Sequence, residues 1–402
     1  MSTTPNDSHR IDQTDISWLA RLRRLLPRQW GSLPIVLALL FIWGVFQAAN
    51  PNFLTPLNLT NLLLQITAVG TISVGLILIL LLGEVDLSVG AVSGLCAAIM
   101  AVLNVKNEVP GGVAVLIALM AGLSIGLLQG AWITQLRLPS FIVTLAGLLV
   151  WQGALIYVLG TTGTVNLADP FILGLAGTFF SPGVGWGVGA VFIVIYIAWI
   201  GWARQQQMMA GMTVEPLREM ITRSTVVIVG VIATTALLNA NRGLPSAVIF
   251  FIGIIVIFDF ITKRTVFGSY IFAVGSNAEA ARRAGIDVGL IRVATFGLAS
   301  MLAAMGGILA ASRLLAVNQS SGSSDLLLNA VAAAVIGGTS FFGGRGTVWA
   351  ALLGMLVIGS ISNGLDLLAL ASPIKSIITG GVLLLAVTID VLARRRHETA
   401  GT

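Results

Sequence analysis

Apolar runs close to twenty residues long alternate along this chain with short polar stretches, and that alternation organises nearly everything else. Twelve runs stand out, near 33–49, 60–82, 86–104, 112–135, 140–160, 185–203, 224–239, 244–262, 291–312, 326–338, 348–367 and 374–391. Runs of this length predict membrane-spanning helices rather than barrel strands, which read as shorter alternating segments. The seventh and tenth are short enough to predict partial or re-entrant segments, admissible only where protein or water covers the backbone. Between the fifth and sixth, Thr161 to Gly185 is rich in Gly, Pro and Thr, contains Asp169 and reads as a loop.

One polar interval is longer and better patterned than a simple connection requires. From Lys263 to Arg292, Asn277 stands where a helix N-cap belongs, and Glu279 follows in the first turn. Arg282 and Arg283 close the last turn, and Gly285 suits a left-handed ending. The pattern predicts a capped surface helix of Ala278, Glu279, Ala280, Ala281, Arg282, Arg283 and Ala284, held at the membrane face by two flanking spans. It suits either a grip for another protein or a solvated linker helix.

Hydrophobic residues make up 56% of the chain, charged residues 9%, and mean hydropathy is +0.97. Soluble domains are about one-quarter charged, so the chain is expected to be an all-α integral membrane protein, a polytopic bundle of about twelve spans. The net charge of +6 reports topology. Of 22 Lys and Arg, 18 fall on one side of a twelve-span arrangement, and only Lys106, Arg242, Arg313 and Lys375 fall opposite. Basic excess marks the cytoplasmic side, so both termini and the 263–292 loop are expected in the cytoplasm, and nucleic acid is not a partner. Residues 1–32 form an N-terminal tail. Within it, Trp18, Leu19, Leu22, Leu25 and Leu26 recur at helical spacing among arginines, predicting an interfacial helix or a plain positive flank. The first apolar run is expected to stay as a signal anchor. The permease domain runs from 33 to 392, with a tail at 393–402.

Carboxylates are few and cluster at span ends. Gly83-Glu84-Val85-Asp86-Leu87-Ser88-Val89-Gly90 lies between spans two and three. A carboxylate at the bilayer centre costs roughly 2.5–3.5 kcal/mol. Glu84 and Asp86 therefore belong to a path or gate, or else Asp86 or Ser88 simply caps span three. Gly337-Gly338-Thr339-Ser340-Phe341-Phe342-Gly343-Gly344-Arg345-Gly346 interrupts spans ten and eleven, as a broken helix or a flexible turn. Asp259 and Asp390 sit near span ends, as does Asp366 within Ser362-Asn363-Gly364-Leu365-Asp366. None of the three lysines follows a glycine, so no Walker-type phosphate loop can form. The only histidines, His9 and His397, lie in the tails, and Cys96 is the single cysteine. No catalytic constellation is visible.

Three ordered motifs carry a resemblance. GEVDLSVGAVSG at 83–94 resembles the G-[GE]-[IV]-D-L-S-V-G segment of the permease subunits of bacterial ATP-binding-cassette sugar importers of the ribose, xylose and arabinose type. FGSYIFAVGSNAEAARRAGI, 267–286, looks like the cytoplasmic coupling loop of that family. NAVAAAVIGGTSFFGGRGTV, 329–348, with SNGLDLL, 362–368, looks like its C-terminal signature. The likeness covers about 33 to 392.

It implies a type II importer permease acting as a homodimer, with two cytoplasmic ATPase subunits and a periplasmic or lipid-anchored sugar-binding protein. ATP and Mg would bind the ATPases, and this chain would hold no cofactor or metal. Residues Asn277 to Gly285 would form the ATPase-coupling helix. The candidate translocation-path or gate residues are Glu84, Asp86, Ser88, Asn329, Thr339, Ser340, Phe341 and Asn363. Ribose-type members have about ten spans, so the material around 175–240 reads as two added spans. A longer middle, and Glu84 in place of glycine, is similar to xylose-type permeases. Phe341-Phe342 and Asp366 depart from the commoner Leu-Ala and Asn. The implied substrate is a monosaccharide, with a lean towards the pentose xylose. A rival of another class is an ion- or proton-coupled secondary transporter, which predicts ionisable residues deep in several spans.

Overall fold

The computed structural model describes residues 33–211, 214 and 216–399. The expected interfacial helix at 15–30 lies outside the described residues, and so does the side chain of Asp390.

Every one of the twelve apolar runs contains a helix. They are α1 (Leu33–Ala49), α2 (Pro56–Leu81), α3 (Val89–Val105), α4 (Gly111–Gln135) and α5 (Ser140–Leu159), then α7 (Pro182–Met209), α8 (Leu217–Asn239) and α9 (Ser246–Arg264). After them come α12 (Val288–Leu314), α13 (Ser324–Ile336), α14 (Ala350–Leu367) and α15 (Ser372–Thr399). Among the described residues, eight helices are long and apolar enough to cross a membrane. The short seventh run is part of the 23-residue α8, whereas α13 has only 13 residues, about 19 Å of rise. The expected tail from 393 continues α15 as helix to Thr399.

Two readings of loops need correction. Thr161–Gly185 is not an irregular loop. It holds β1 (Thr164–Asn166), the short helix α6 (Pro170–Gly177) and β2 (Phe179–Phe180). Strand β1 pairs antiparallel with β4 (Ala316–Asn318), and β2 with β3 (Leu244–Pro245). Their partners lie far along the chain, so no local pattern announces them. The Asp169-Pro170 start of α6 was readable: Asp169 Oδ1 accepts from Phe171 N and Ile172 N at 2.9 and 3.2 Å. Burial alone would raise its carboxyl pKa. The N–H of Ile172, the Asn104 amide and the N–H groups of Phe171 and Gly111 hold it below the usual range instead. The second correction is α10 (Val266–Ser276), an apolar helix inside the interval read as polar. Thr265 caps it, accepting from Gly268 N at 3.2 Å, with Ile271 and Val274 buried.

The bundle is centred on α2, whose apolar window is 83% buried, and on α12 and α14 at 67% each. In lipid, helices hold together by close packing rather than by the hydrophobic effect, which favours small residues at crossings. A Cβ at Gly75 would meet the Ala299 backbone, and one at Gly126 the Phe296 carbonyl, so α2 and α4 press directly on α12. The added helices α7 and α8 are 17% and 11% buried and pack mainly on one another. They stand at the periphery.

Candidate functional site

The three motifs, the first well over a hundred residues ahead of the other two, meet at one end of the bundle. The C-terminus of α2, the Gly83–Ser88 segment, the end of α10 and the Gly337–Gly346 turn are in direct backbone contact. Gly344 N donates to Leu81 O at 2.9 Å. Gly83 (φ 75°) and Gly343 (φ 87°) take left-handed backbone, and a Cβ on Gly343 would strike Gly83 and the Gly275 carbonyl. Only glycine permits this approach.

Immediately beyond stands α11 (Ala278–Arg283). Asn277 Oδ1 accepts from Ala280 N at 2.9 Å, as an N-cap should. At the other end Ile286 N bonds Ala281 O and Gly285 N bonds Arg282 O, with Gly285 at φ 85°, a Schellman closure. Ala281 is the anchor, 5% exposed. Glu279 pairs with Arg282 at 2.9 Å and Arg283 at 3.4 Å, all well exposed. The helix therefore hangs on one alanine and offers a charged face outward.

Below α11 the chain rejoins the bundle at α12, capped by Asp287, which accepts from Leu290 N at 3.0 Å. One turn on, Arg292 Nη2 lies 2.8 Å from Glu84 Oε1, the two side chains 27% and 14% exposed. This ion pair ties the Gly83–Ser88 segment to the helix that begins beside α11. Arg292 Nε is buried without a partner. A cleft of about 770 Å³ opens beside the pair, lined by Glu84, Arg137, Ser140, Arg282, Asp287 and Arg292 among others. Arg137 holds φ 55° there, a backbone that costs an L-residue about 1–2 kcal/mol.

Asp86 faces inward, with no exposed surface. Its Oδ1 accepts from Ser88 N at 2.8 Å and Ser88 Oγ at 2.7 Å, while Oδ2 is buried without a partner. Ser88 Oγ also lies 3.0 Å from Gln129 Nε2 on α4. Val85 N donates to Ser140 Oγ at 3.3 Å, and Thr144 Oγ1 donates to Val85 O at 3.4 Å, so the start of α5 holds the segment from its other side. Ser88 occupies the N-cap of α3 but makes no side-chain cap bond. Asp86 instead bonds across the turn ahead of α3, accepting from both Ser88 groups.

The eight path or gate candidates are not gathered together. Glu84, Asp86, Ser88, Thr339, Ser340 and Phe341 share the motif end. There Ser340 Oγ accepts from Phe342 N at 3.1 Å, and Thr339 Oγ1 is buried without a partner. Asn329 is half-buried within α13. Asn363 lies at the opposite end in a reciprocal amide pair with Asn58, at 2.7 and 3.1 Å, which closes α14 on α2. Asp366 is exposed and ion-paired with Lys375. Gln129 and Arg292 are the participants that reading by motif missed. Gln129 is a lone amide in an apolar run, and Arg292 looks like an ordinary positive flank.

A polytopic helical bundle with a capped, outward-facing helix over convergent glycine turns is the architecture of a membrane permease. The chain belongs to the permease family described as branched-chain amino acid transport system / permease component, whose model matches residues 58–387. It is 32% identical over 362 residues to the xylose transport system permease protein XylH of Escherichia coli K12, covering 90% of this chain and 91% of that one. It is 31% identical to the L-arabinose ABC transporter permease protein AraH of Azospirillum brasilense, covering 90% and 88%. To the ribose import permease protein RbsC of Escherichia coli K12 it is 30% identical, covering 92% and 96%. No solved structure matches. The chain is thus a permease subunit and not an enzyme, ATP hydrolysis in such systems residing in a separate subunit.

Proposed function

We propose that this chain is the translocation subunit of an ATP-driven importer that carries a monosaccharide, a pentose such as xylose first among the candidates, into the cytoplasm. Two copies form the channel, with both termini and α11 cytoplasmic. Two ATPase subunits, which bind ATP and Mg, dock on α11. A periplasmic or lipid-anchored binding protein delivers the sugar from the other side. The observation that carries this reading is the convergence of the three motifs beneath α11. Movement of α11 reaches α12 through Asp287, and Arg292 passes it to Glu84 and so to the unwound segment ahead of α3. An ion pair mostly shielded from water resists separation, because an unpaired buried charge costs several kcal/mol. The sugar named by each relative supports the substrate class, and the 32% identity to the xylose permease supports the lean to pentose.

The experiment is uptake of labelled D-xylose, D-ribose and L-arabinose into proteoliposomes holding this chain alone, or with its ATPase and binding protein. Concentrative uptake that needs both partners and ATP is expected. Uptake by the chain alone, driven by an imposed proton or ion gradient, would overturn the proposal and turn attention to the unpartnered Asp86 oxygen. Within the complex, Arg282→Glu with Arg283→Glu reverses the exposed face of α11 without touching Ala281. Co-purification of the ATPase should fall at least tenfold, a loss of about 1.4 kcal/mol or more. Full retention of the ATPase would remove α11 from the docking role.

A further inference from the structure

A second polar cavity, far from α11, is lined by Gln152 on α5, Ala91 on α3 and the turn Gln319–Ser323 that leads into α13. Its volume is about 190 Å³, room for about six waters at ~30 Å³ each.

Its depth follows from packing. A Cβ on Gly94 would strike the Ser321 carbonyl, and one on Gly90 would press on the Gly322 carbonyl. Gly94 lies about 16 Å along α3 from its Val105 end, so the turn reaches about halfway through a hydrocarbon layer of ~30 Å. Non-helical backbone at that depth persists only where protein buries it or water fills a cavity beside it. Ser320 and Ser323 are exposed and Ser321 half-buried, so protein does not seal the turn, and at that depth water is the medium that can satisfy its backbone.

The chemistry of the lining is specific. Backbone and side-chain bonds inside the turn use Asn318, and Ser321 Oγ accepts from Asn318 N at 3.0 Å. The amides of Gln152 and Gln319 and the hydroxyls of Ser320 and Ser323 have no partner. Ser323 is the N-cap of α13; its carbonyl accepts from Leu326 N and Leu327 N, while its hydroxyl makes no cap bond and stays available to the cavity. Amides and hydroxyls donate and accept together, as vicinal hydroxyls of a ligand do. Among the described residues no lysine or arginine lines the cavity to hold an anion, and no cluster of ligating side chains would hold a metal ion.

We infer that this mid-membrane cavity is a binding subsite for a neutral polyhydroxylated solute, so that the permease itself selects by hydroxyl pattern as the solute passes. This deepens the importer reading and rests on it for naming the solute a sugar. The test has two arms. In a Cys96→Ala background, which removes the single, buried cysteine, Ser323→Cys and Gln319→Cys are introduced into the full chain in proteoliposomes. These are treated with a charged, membrane-impermeant maleimide. Both should label, and D-xylose, D-ribose or L-arabinose should slow labelling several-fold while sodium chloride does not. Ala332→Cys, at a buried position of α13, should stay unlabelled. Failure of 319 and 323 to label, or labelling indifferent to every pentose, would overturn the subsite whether or not the importer reading holds. In the assembled complex, Gln152→Leu and Gln319→Leu should each reduce discrimination between a pentose and its deoxy analogue about three- to tenfold, one net hydrogen bond's worth. Unchanged discrimination in a complex that transports normally would also overturn it, leaving the importer intact. Absence of ATP-dependent uptake in the unsubstituted complex would count against the importer alone.

Discussion

Two breaks in the helical ladder, Gly83–Ser88 ahead of α3 and Gln319–Ser323 ahead of α13, use the same kinds of residue and end in opposite conditions. Both combine glycine with serine and are followed by a short helix. In the first, most polar groups are bonded inside the protein, Asp86 Oδ1 by Ser88, Ser88 by Gln129 and Glu84 by Arg292, while Asp86 Oδ2 and Arg292 Nε stay buried without a partner. In the second, the Gln319, Ser320 and Ser323 side chains are exposed along a cavity and make no hydrogen bond among the described residues. What separates a structural joint from a candidate solute site is therefore the inventory of partners and not the sequence flavour. A satisfied buried network rigidifies; an unsatisfied one costs free energy unless water or a ligand completes it.

That contrast can be broken experimentally. The largest effect should come where the second break leans on α3. Gly94→Leu forces a side chain into the Ser321 carbonyl, and overpacking of this kind costs about 3 kcal/mol or more. The variant should lose most of its folded yield after detergent extraction, read by size-exclusion chromatography, and normal yield would refute the close packing. Next, Arg292→Ala strands a Glu84 carboxylate that is only 14% exposed. A fully buried pair would lose about 3–5 kcal/mol. Water from the adjoining cleft reduces this to about 2 kcal/mol, measured as a lower melting temperature, with Arg292→Lys recovering part of it. Ser88→Ala removes two bonds to Asp86 and Gln129 and should cost about 1–2 kcal/mol in the same assay. Smallest of all, Ser323→Ala and Gln319→Ala remove groups that have no partner and should shift stability by less than about 0.5 kcal/mol. If Ser323→Ala proved as destabilising as Ser88→Ala, the distinction between the two breaks would collapse.

The helices themselves were legible because each is written locally. An apolar run of spanning length leaves a membrane segment no other way to satisfy its backbone than to coil, and all twelve runs contain helices. The α11 caps were equally plain, since Asn277 and Gly285 act within a turn of their own positions. Failures followed the range of the interaction. β1 and β4 are joined across about 150 residues, and α10 hid within an interval whose charged residues drew attention from Ile271 and Val274. Glu84 looked like one half of a carboxylate pair with Asp86, whereas its partner, Arg292, lies about two hundred residues on.

From the sequence alone came the membrane class, the span pattern and the capped surface helix α11, because hydropathy and capping are properties of neighbouring residues. Only the tertiary structure decided that the three motifs form one junction, that Asp86 turns inward while Glu84 is paired, and that a serine-rich turn packs against Gly90 and Gly94 of α3. Each of these depends on which helices touch. In a bundle held by glycine-sized crossings, that is set by packing between segments that no local pattern records.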